Sequence, residues 1–237
     1  MPCILSIETS GTVCSVALDK DGESLYEKAE LSGGSHAKCI GVFIQEALQV
    51  VEDNALCLDA VAVSSGPGSY TGLRIGVSAA KGVCFGLGIP LIAVSTLELM
   101  AHQYVRLFTS VDGLLCPMLD ARRMEAYTAI FDPSQHMRQV RETMAEVPTI
   151  DTYMPYLDKQ KVYFFGCGSY KYNEQNVIQS PNACFISNEV NPQAYYMYPL
   201  AEKAFLTNQF VDTAYFEPSY LKEFQATIGK NKVLGNL

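Results

Sequence analysis

The chain has few of the residues from which catalytic and metal sites are usually built. Its 237 residues include no tryptophan and only three histidines, at positions 36, 102 and 136. The residue four positions after His36 is Ile40, so the H-x-x-x-H pair of a metal-binding helix is missing. The sequence also lacks a G-x-S-x-G nucleophile elbow and a recognisable pairing of a cysteine with a histidine. These absences argue against a metal site and against nucleophilic catalysis.

Positive charge is scarce as well. Seventeen lysines and arginines stand against 25 aspartates and glutamates, which gives a net charge of −8. Proteins that bind nucleic acid strongly gain much of their affinity by neutralising phosphates with basic side chains. The only adjacent basic pair is Arg122-Arg123, while Lys230 and Lys232 lie in a polar tail. We therefore expect no strong direct binding of nucleic acid by this chain.

Long apolar runs and a leader pattern are also missing. No stretch reaches the roughly 18 consecutive apolar residues that a membrane span needs. The first residues, MPCILSIETS, lack a basic segment followed by a long apolar one. The eight cysteines are scattered singly, without a C-x-x-C pair. The sequence predicts a cytoplasmic protein that has reduced cysteines and does not enter a membrane.

An α/β pattern that occurs twice fills most of the chain. Each half opens with three short strands separated by turns and continues with alternating helix and strand. We predict an internally duplicated α/β protein whose halves meet near residues 106–112. The predicted strands cover 4–8, 14–18, 24–29, 59–65, 90–94, 114–119, 125–131, 138–144 and 161–165. The predicted helices cover 37–52, 73–87, 96–108, a short segment interrupted by Pro155, and 191–210 with a break at Pro199.

A glycine-rich motif, GPGSYTG at residues 66–72, stands between a predicted strand and a predicted helix. A helix start can bind an anion, but the motif lacks the G-K-[ST] ending of a phosphate-binding P-loop. Small residues then recur at intervals of four along the helix, which allows another backbone to approach closely. The spacing leaves open whether that neighbour is the chain's own sheet or another subunit. The small residues are Gly72, Gly76 and Ala80, followed by Gly82 and Gly86.

Two strand ends carry turns that could hold a ligand. Ile7–Gly11 joins a strand to a turn of small and hydroxyl residues, where backbone N–H groups could contact a phosphate. Asp120–Tyr127 places a carboxylate and two guanidinium groups between two strands, where a ligand or a partner could bind. Simple hairpin turns, with a solvated ion pair in the second case, explain the same residues equally well.

Five segments taken together resemble the TsaB family, also called YeaZ. They are ILSIETSGTVCSVAL, SHAKCIGVFIQEAL, AVSSGPGSYTGLRIGVSAAKGVCFGLGIPLIAVSTLELMA, DARRMEAY and EPSYLKEF. The resemblance implies an actin-like, sugar-kinase-like (ASKHA) α/β fold of two related lobes, each with a mixed sheet flanked by helices. It places the lobes at 1–108 and 109–215, with a C-terminal segment and tail at 216–237. Residues 135–210 match the family only in outline.

The same resemblance implies a role in forming threonylcarbamoyladenosine in tRNA. In the family, TsaB is a non-catalytic subunit that pairs with its catalytic paralogue TsaD, and the ATPase TsaE joins them. The resemblance implies a homodimer when the chain is alone, no strong direct tRNA binding and no cofactor of its own. The implied pairing surface is Ile40, Phe43, Ile44, Ala47, Tyr70, Leu73, Arg74, Gly76, Val77 and Ala80. The implied vestigial nucleotide site is Glu8, Thr9, Ser10, Asp120, Gly166 and Gly168.

Two other functions compete with the scaffold hypothesis. One is an autonomous ATP-binding enzyme of the same fold, and the other is a glycoprotease-like metallopeptidase, for which the sequence offers no ligands. On the scaffold hypothesis, Leu73→Asp would disrupt pairing while the monomer stays folded.

Overall fold

Strands and helices alternate along the chain in an order that occurs twice. The computed structural model describes residues 1–33, 36–108, 110–186 and 190–221. The first half contains β1 Cys3–Glu8, β2 Cys14–Lys20, β3 Glu23–Glu30, α1 His36–Asp53, β4 Ala60–Gly66, α2 Tyr70–Leu87, β5 Leu91–Ser95 and α3 Thr96–Leu107. The second half contains β6 Gly113–Asp120, β7 Ala126–Asp132, β8 Arg138–Glu146, α4 Ile150–Leu157, β9 Lys161–Phe165, α5 Tyr170–Glu174, β10 Ala183–Phe185 and α6 Tyr198–Leu206.

The two sheets have the same topology. The strand order is β3-β2-β1-β4-β5 in the first lobe and β8-β7-β6-β9-β10 in the second. In each lobe the first three strands are antiparallel and the remaining two run parallel to the first. Each strand of one lobe therefore has a counterpart in the other, and α1, α2 and α3 correspond to α4, α5 and α6. The predicted duplication and the actin-like, sugar-kinase-like class of two mixed sheets flanked by helices are confirmed.

Burial explains which strands lie at the centre of each sheet. All six residues of β1 are buried, as expected for a strand that has neighbours on both sides and helices on both faces. The edge strand β3 is polar and mostly exposed, which limits pairing with other chains. Among the helices, α2 is well delimited, because the Ser69 side chain accepts a hydrogen bond from Gly72 N–H and Gly88 ends the helix in the left-handed conformation.

The helices form three layers around the two sheets. Helices α1 and α2 pack on one face of the first sheet, and α4 and α5 pack on one face of the second. Helix α3 lies between the sheets, since Leu99 packs with the first lobe while Leu97 and Met100 pack with the second. Helix α6, although it comes late in the chain, covers the inner face of the first sheet through residues such as Leu200 and Ala201.

The segment that follows α6 returns to the first lobe. Val211 forms an antiparallel bridge with Leu91 on the edge strand β5. Ser219 N–H donates a 2.7 Å hydrogen bond to the carbonyl of Ser65 at the end of β4. Between these two points, Lys81 Nζ on α2 donates to the carbonyl of Ala214. Residues 211–219 therefore form a strap that runs past α2 from the first residue of β5 to the end of β4.

Three sequence predictions differ from the structure. The predicted helix 191–210 is instead a short 3-10 turn at 194–196 followed by α6, and Pro199 lies in the first turn of α6 rather than breaking a helix. Pro155 lies inside α4 without interrupting it. The sequence analysis predicted neither α5 nor β10, which contain five and three residues. The predicted lobe boundaries at 108 and 215 stay predictions, and residues 222–237 of the proposed tail lie outside the described part.

Candidate functional site

The turn after β1 is closed off from solvent. Glu8, Thr9 and Ser10 are all buried. One oxygen of the Glu8 carboxylate accepts a 2.5 Å hydrogen bond from the backbone N–H of Ser10, and the other accepts a hydrogen bond from the hydroxyl of Ser64 on β4. Thr9 Oγ1 donates to the carbonyl of Gly72 at 2.8 Å. Groups of the chain itself therefore occupy the Glu8 carboxylate, which could otherwise bind a metal-bound water, and the Thr9 hydroxyl, which could otherwise bind a phosphate.

Glycines of the segment 66–72 and of α2 make this close packing possible. A Cβ atom on Gly72 would lie 2.1 Å from the carbonyl oxygen of Thr9, and one on Gly76 would lie 2.2 Å from Thr9 Oγ1. A Cβ on Gly68 would lie 2.5 Å from the carbonyl oxygen of Ser10. Gly72 and Gly76, which begin the first small-residue stripe of α2 (Gly72, Gly76 and Ala80), therefore pack against the turn after β1. For these two glycines the close neighbour belongs to the chain itself and not to another subunit.

Burial changes the acidity of Glu8. Because the carboxyl group is removed from water, its pKa rises to about 7, although the hydrogen bond from the backbone N–H of Ser10 opposes the shift. The Ser10 hydroxyl beside it has no hydrogen-bond partner among the described residues. The turn thus contains a carboxyl group that is partly protonated at neutral pH and that is held by backbone and hydroxyl donors.

The corresponding turn of the second lobe, after β6, is open. Asp120, Arg122 and Arg123 are exposed. Glycines of the β9–α5 loop pack against this strand end, since the N–H of Gly168 donates to the carbonyl of Met118 at 2.9 Å. The sequence-predicted nucleotide-site residues thus form two groups on different sheets: Glu8, Thr9 and Ser10 in one, and Asp120, Gly166 and Gly168 in the other. Their assignment as a vestigial nucleotide site stays a prediction.

Two residues that the sequence analysis did not single out hold these turns. Ser64 anchors the Glu8 carboxylate. Lys171, on α5, lies near Asp120, with 2.6 Å between its Nζ and the Asp120 Oδ1. Both contacts join residues more than 50 positions apart, so no local pattern could have revealed them.

The predicted pairing surface lies mostly inside the chain. Leu73 is only 1% exposed, and among the ten predicted residues only Tyr70 and Arg74 are not buried. The expectation that Leu73→Asp leaves the monomer folded is therefore wrong, because the substitution would bury a charge in the core of the first lobe. The buried members of the set are Ile40, Phe43, Ile44, Ala47, Leu73, Gly76, Val77 and Ala80. Burial within the single chain does not test whether α1 and α2 pair with another subunit, so that assignment stays a prediction.

The same two helices have an exposed outer side. Phe85 on α2 is 89% exposed and Val42 on α1 is 49% exposed. A second small-residue stripe, Ser78, Gly82 and Gly86, runs along the exposed side of α2. A Cβ atom on Gly82, Gly86 or Gly41 would meet nothing within 4 Å. This outer side of α1 and α2 combines an exposed aromatic ring with a surface that another backbone could approach closely.

Neither metal ligands nor a membrane segment is found in the described part of the chain. No three of its histidine, cysteine, aspartate and glutamate side chains are grouped as a metal site would require. The ring of His36 is close to the carbonyl of Gly11, with 3.1 Å between Nε2 and the oxygen. Burial lowers the pKa of His102 on α3. No helix within the described ranges is long and apolar enough to cross a membrane.

Comparisons with known proteins identify the family. The family model described as "TsaD: tRNA N6-adenosine threonylcarbamoyltransferase" matches residues 29–230. The "tRNA threonylcarbamoyladenosine biosynthesis protein TsaB" of Haemophilus influenzae is 30% identical over 92% of this chain and 93% of its own. The protein of the same name from Bacillus subtilis is 36% identical over 54% of each chain. The structure of YeaZ from Pseudomonas aeruginosa, 27% identical, covers 93% of this chain and 100% of its own with a TM-score of 0.79. The chain belongs to the TsaB (YeaZ) family and takes part in the biosynthesis of threonylcarbamoyladenosine in tRNA.

Proposed function

We propose that this chain is a non-catalytic scaffold subunit that pairs with the transferase TsaD, is joined by the ATPase TsaE, and forms a homodimer when alone. The observation that carries the proposal is the filled turn after β1. A carboxylate that is to bind a metal ion, or a turn whose hydroxyl and N–H groups are to bind a phosphate, needs those groups free of other partners. Here both oxygens of Glu8 accept hydrogen bonds from within the chain, and Gly72 and Gly76 pack against Thr9.

The outer side of α1 and α2 is the proposed pairing surface. An aromatic side chain as exposed as Phe85 is costly to leave in water, and its burial in an interface is worth about 2 kcal/mol or more. The open positions of Gly82 and Gly86 would let a partner helix approach the backbone of α2. The family relationship supports TsaD as that partner, because the TsaD family model matches most of this chain as well. Two chains of the same architecture can present equivalent helices to each other.

Light scattering coupled to size-exclusion chromatography tests the pairing. The chain is run alone and then with the TsaD protein of the same organism, and we expect the homodimer to be replaced by a heterodimer. Phe85→Asp should abolish both species while leaving a folded monomer. Leu206→Asp is the matched control, because Leu206 is 64% exposed but lies on α6, away from this surface. Equal effects of the two substitutions would refute the proposed surface.

A reconstitution assay tests the scaffold role itself. tRNA threonylcarbamoylation by TsaD and TsaE should require this chain, and the chain alone should have no activity. Full activity in its absence would contradict the proposal. Titration calorimetry of the isolated chain with ATP should give no heat of binding, whereas tight binding would favour an autonomous enzyme.

A further inference from the structure

The turn between β6 and β7 is held in one conformation by residues far away in the sequence. Lys171 Nζ donates hydrogen bonds to Asp120 Oδ1 at 2.6 Å and to the carbonyls of Arg123 and Glu125 at 2.9 and 2.5 Å. The hydroxyl of Tyr172 donates to the carbonyl of Met124 at 2.7 Å. Four contacts from α5 therefore fix a turn of only a few residues.

This fixed turn presents two arginines in an unfavourable backbone conformation. Arg122 has a φ of 69° and Arg123 a φ of 53°, both in the left-handed region that favours glycine. Such a conformation is strained for a residue that carries a Cβ atom. Both side chains are exposed. A turn that only reversed the chain would be more stable with glycine or asparagine at these positions.

Among the described residues, the two guanidinium groups have no carboxylate partner in an ion pair. Four other basic side chains of the described part form ion pairs: Lys28, Arg141, Lys161 and Lys171. No ion pair within the described ranges includes Arg122 or Arg123. Asp120, one of the two carboxylates that flank them in sequence, is already bound by Lys171 and by the N–H of Arg122. The turn thus presents two arginines that belong to no ion pair of the described part, on a chain whose net charge is −8.

We infer that Arg122 and Arg123 form a contact surface for the phosphate backbone of RNA, in the complex rather than in the isolated chain. Guanidinium groups bind phosphate through paired N–H donors, and a fixed turn lowers the entropy lost on binding. Half-buried Tyr127 lies near the start of β7, just after the turn, and burial raises its pKa while the charge of Arg122 opposes part of the rise. An aromatic ring beside arginines is common where proteins contact RNA. The inference rests on the proposed function, because a chain with a net charge of −8 would contact tRNA only when it is bound to a tRNA-modifying transferase.

The inference is tested on the purified complex of this chain with TsaD, using an unmodified tRNA transcript as the probe. Fluorescence anisotropy gives the dissociation constant across a series of salt concentrations. The double variant Arg122→Gln, Arg123→Gln should weaken binding roughly tenfold at low salt. It should also reduce the slope of log K against log salt by about 1 for each arginine removed. Arg122→Lys, Arg123→Lys should keep the slope and lose part of the affinity, because lysine retains the charge without the fork.

Arg138→Gln is the matched control, since Arg138 is an exposed arginine of the same lobe that bonds to Gln135. It should leave the affinity and the slope unchanged. An unchanged slope for the double variant, or an equal loss in the control, would overturn the inference. If the double variant instead weakens pairing with TsaD or TsaE, the surface binds an acidic protein and the RNA assignment is wrong. Failure of the unmodified chain to pair with TsaD would overturn the proposed function, and this inference with it.

Discussion

The turns after β1 and after β6 occupy the same place in the two lobes, yet one is buried and the other is exposed. The helix after the fourth strand of each lobe accounts for the difference. In the first lobe this helix, α2, has 18 residues and packs its glycines against Thr9. In the second lobe its counterpart, α5, has five residues and contacts the turn through the side chains of Lys171 and Tyr172.

The two halves of a duplicated fold can thus share a sheet topology and still differ in the contacts that are made at corresponding turns. The sheet topology of the lobes is the same, so the backbone frame that leads to each turn is kept. What differs is the residue at each contact: glycine permits a helix to lie directly on the turn, whereas a long side chain such as Lys171 fixes the turn from a distance. The first lobe therefore gains a rigid helix, and the second gains an open charged turn.

A charge buried beneath α2 should lower the stability of the chain more than any other change. Leu73→Asp should destabilise the chain by about 4 kcal/mol or more, because Leu73 is 1% exposed and the carboxylate would have no partner there. Urea unfolding monitored by circular dichroism measures the loss. Leu206→Asp, at an exposed position on α6 away from the proposed pairing surface, is the control and should change the free energy of unfolding by less than about 0.5 kcal/mol. A folded Leu73→Asp monomer of normal stability would contradict the packing of α2.

Replacing glycine by alanine should change stability in opposite directions in the two small-residue stripes of α2. Gly72→Ala should cost about 3 kcal/mol, since the new Cβ would overlap the backbone carbonyl of Thr9. Gly82→Ala should instead gain about 0.5–1 kcal/mol in the Phe85→Asp background, where pairing is removed, because in the monomer its Cβ meets open space and alanine favours helix more than glycine does. The unfolding midpoints of the two variants in urea test this. Equal midpoints would mean that the first stripe does not pack against the β1 turn.

The pH dependence of stability should reveal the buried carboxyl of the first turn. The pKa of Glu8 rises from 4.5 to about 7 on folding, so the folded state binds more protons than the unfolded state between these values. Its contribution to stability is therefore full below pH 4.5 and is lost as the pH rises through 7. Glu8→Gln should remove this loss, which is worth about 3 kcal/mol.

Unfolding free energies of both proteins, measured from pH 5 to pH 8, test this expectation. Asp19, another buried carboxyl group with a pKa raised to about 7 by burial, adds a slope of the same sign to both proteins. The difference between the two curves thus isolates Glu8. Parallel curves would show that Glu8 is ionised to the same extent in the folded and unfolded states.

The smallest effect is expected at the open turn. Lys171→Met keeps the length of the side chain but removes its hydrogen bonds to Asp120 and to two carbonyls, so it should cost about 1 kcal/mol. Lys159→Met, at an exposed position, is the control and should have no effect on the urea midpoint. A loss as large as that of Gly72→Ala would mean that the second turn is as integral to the core as the first.

Most of the fold could be predicted from the sequence, because the meanders and the long helices follow regular apolar periods. The helix α5 and the strand β10 could not, since five and three residues are too short for a period to emerge. Pro199 was interpreted as a break, although proline also suits the first turn of a helix, where its missing N–H costs nothing.

The candidate site was only half predictable. The strand ends at Glu8 and Asp120 stand out by their turn residues, and the glycine spacing of α2 indicates a close contact. The partner in that contact could not be predicted, because Thr9 precedes Gly72 by 63 positions and no local pattern connects them. The same reasoning explains why buried residues such as Leu73 were assigned to a surface: helical spacing locates a face but does not say what covers it.

The position of α6 has a consequence for the order in which the protein can fold during its synthesis. The inner face of the first sheet, which includes Ile4, Ala62 and Ile92, packs against Met197 and Leu200. These residues leave the ribosome long after the sheet itself. Although Leu99 on α3 covers part of this face earlier, the rest stays uncovered until about residue 200 has been made, so a segment distant in sequence completes the first lobe.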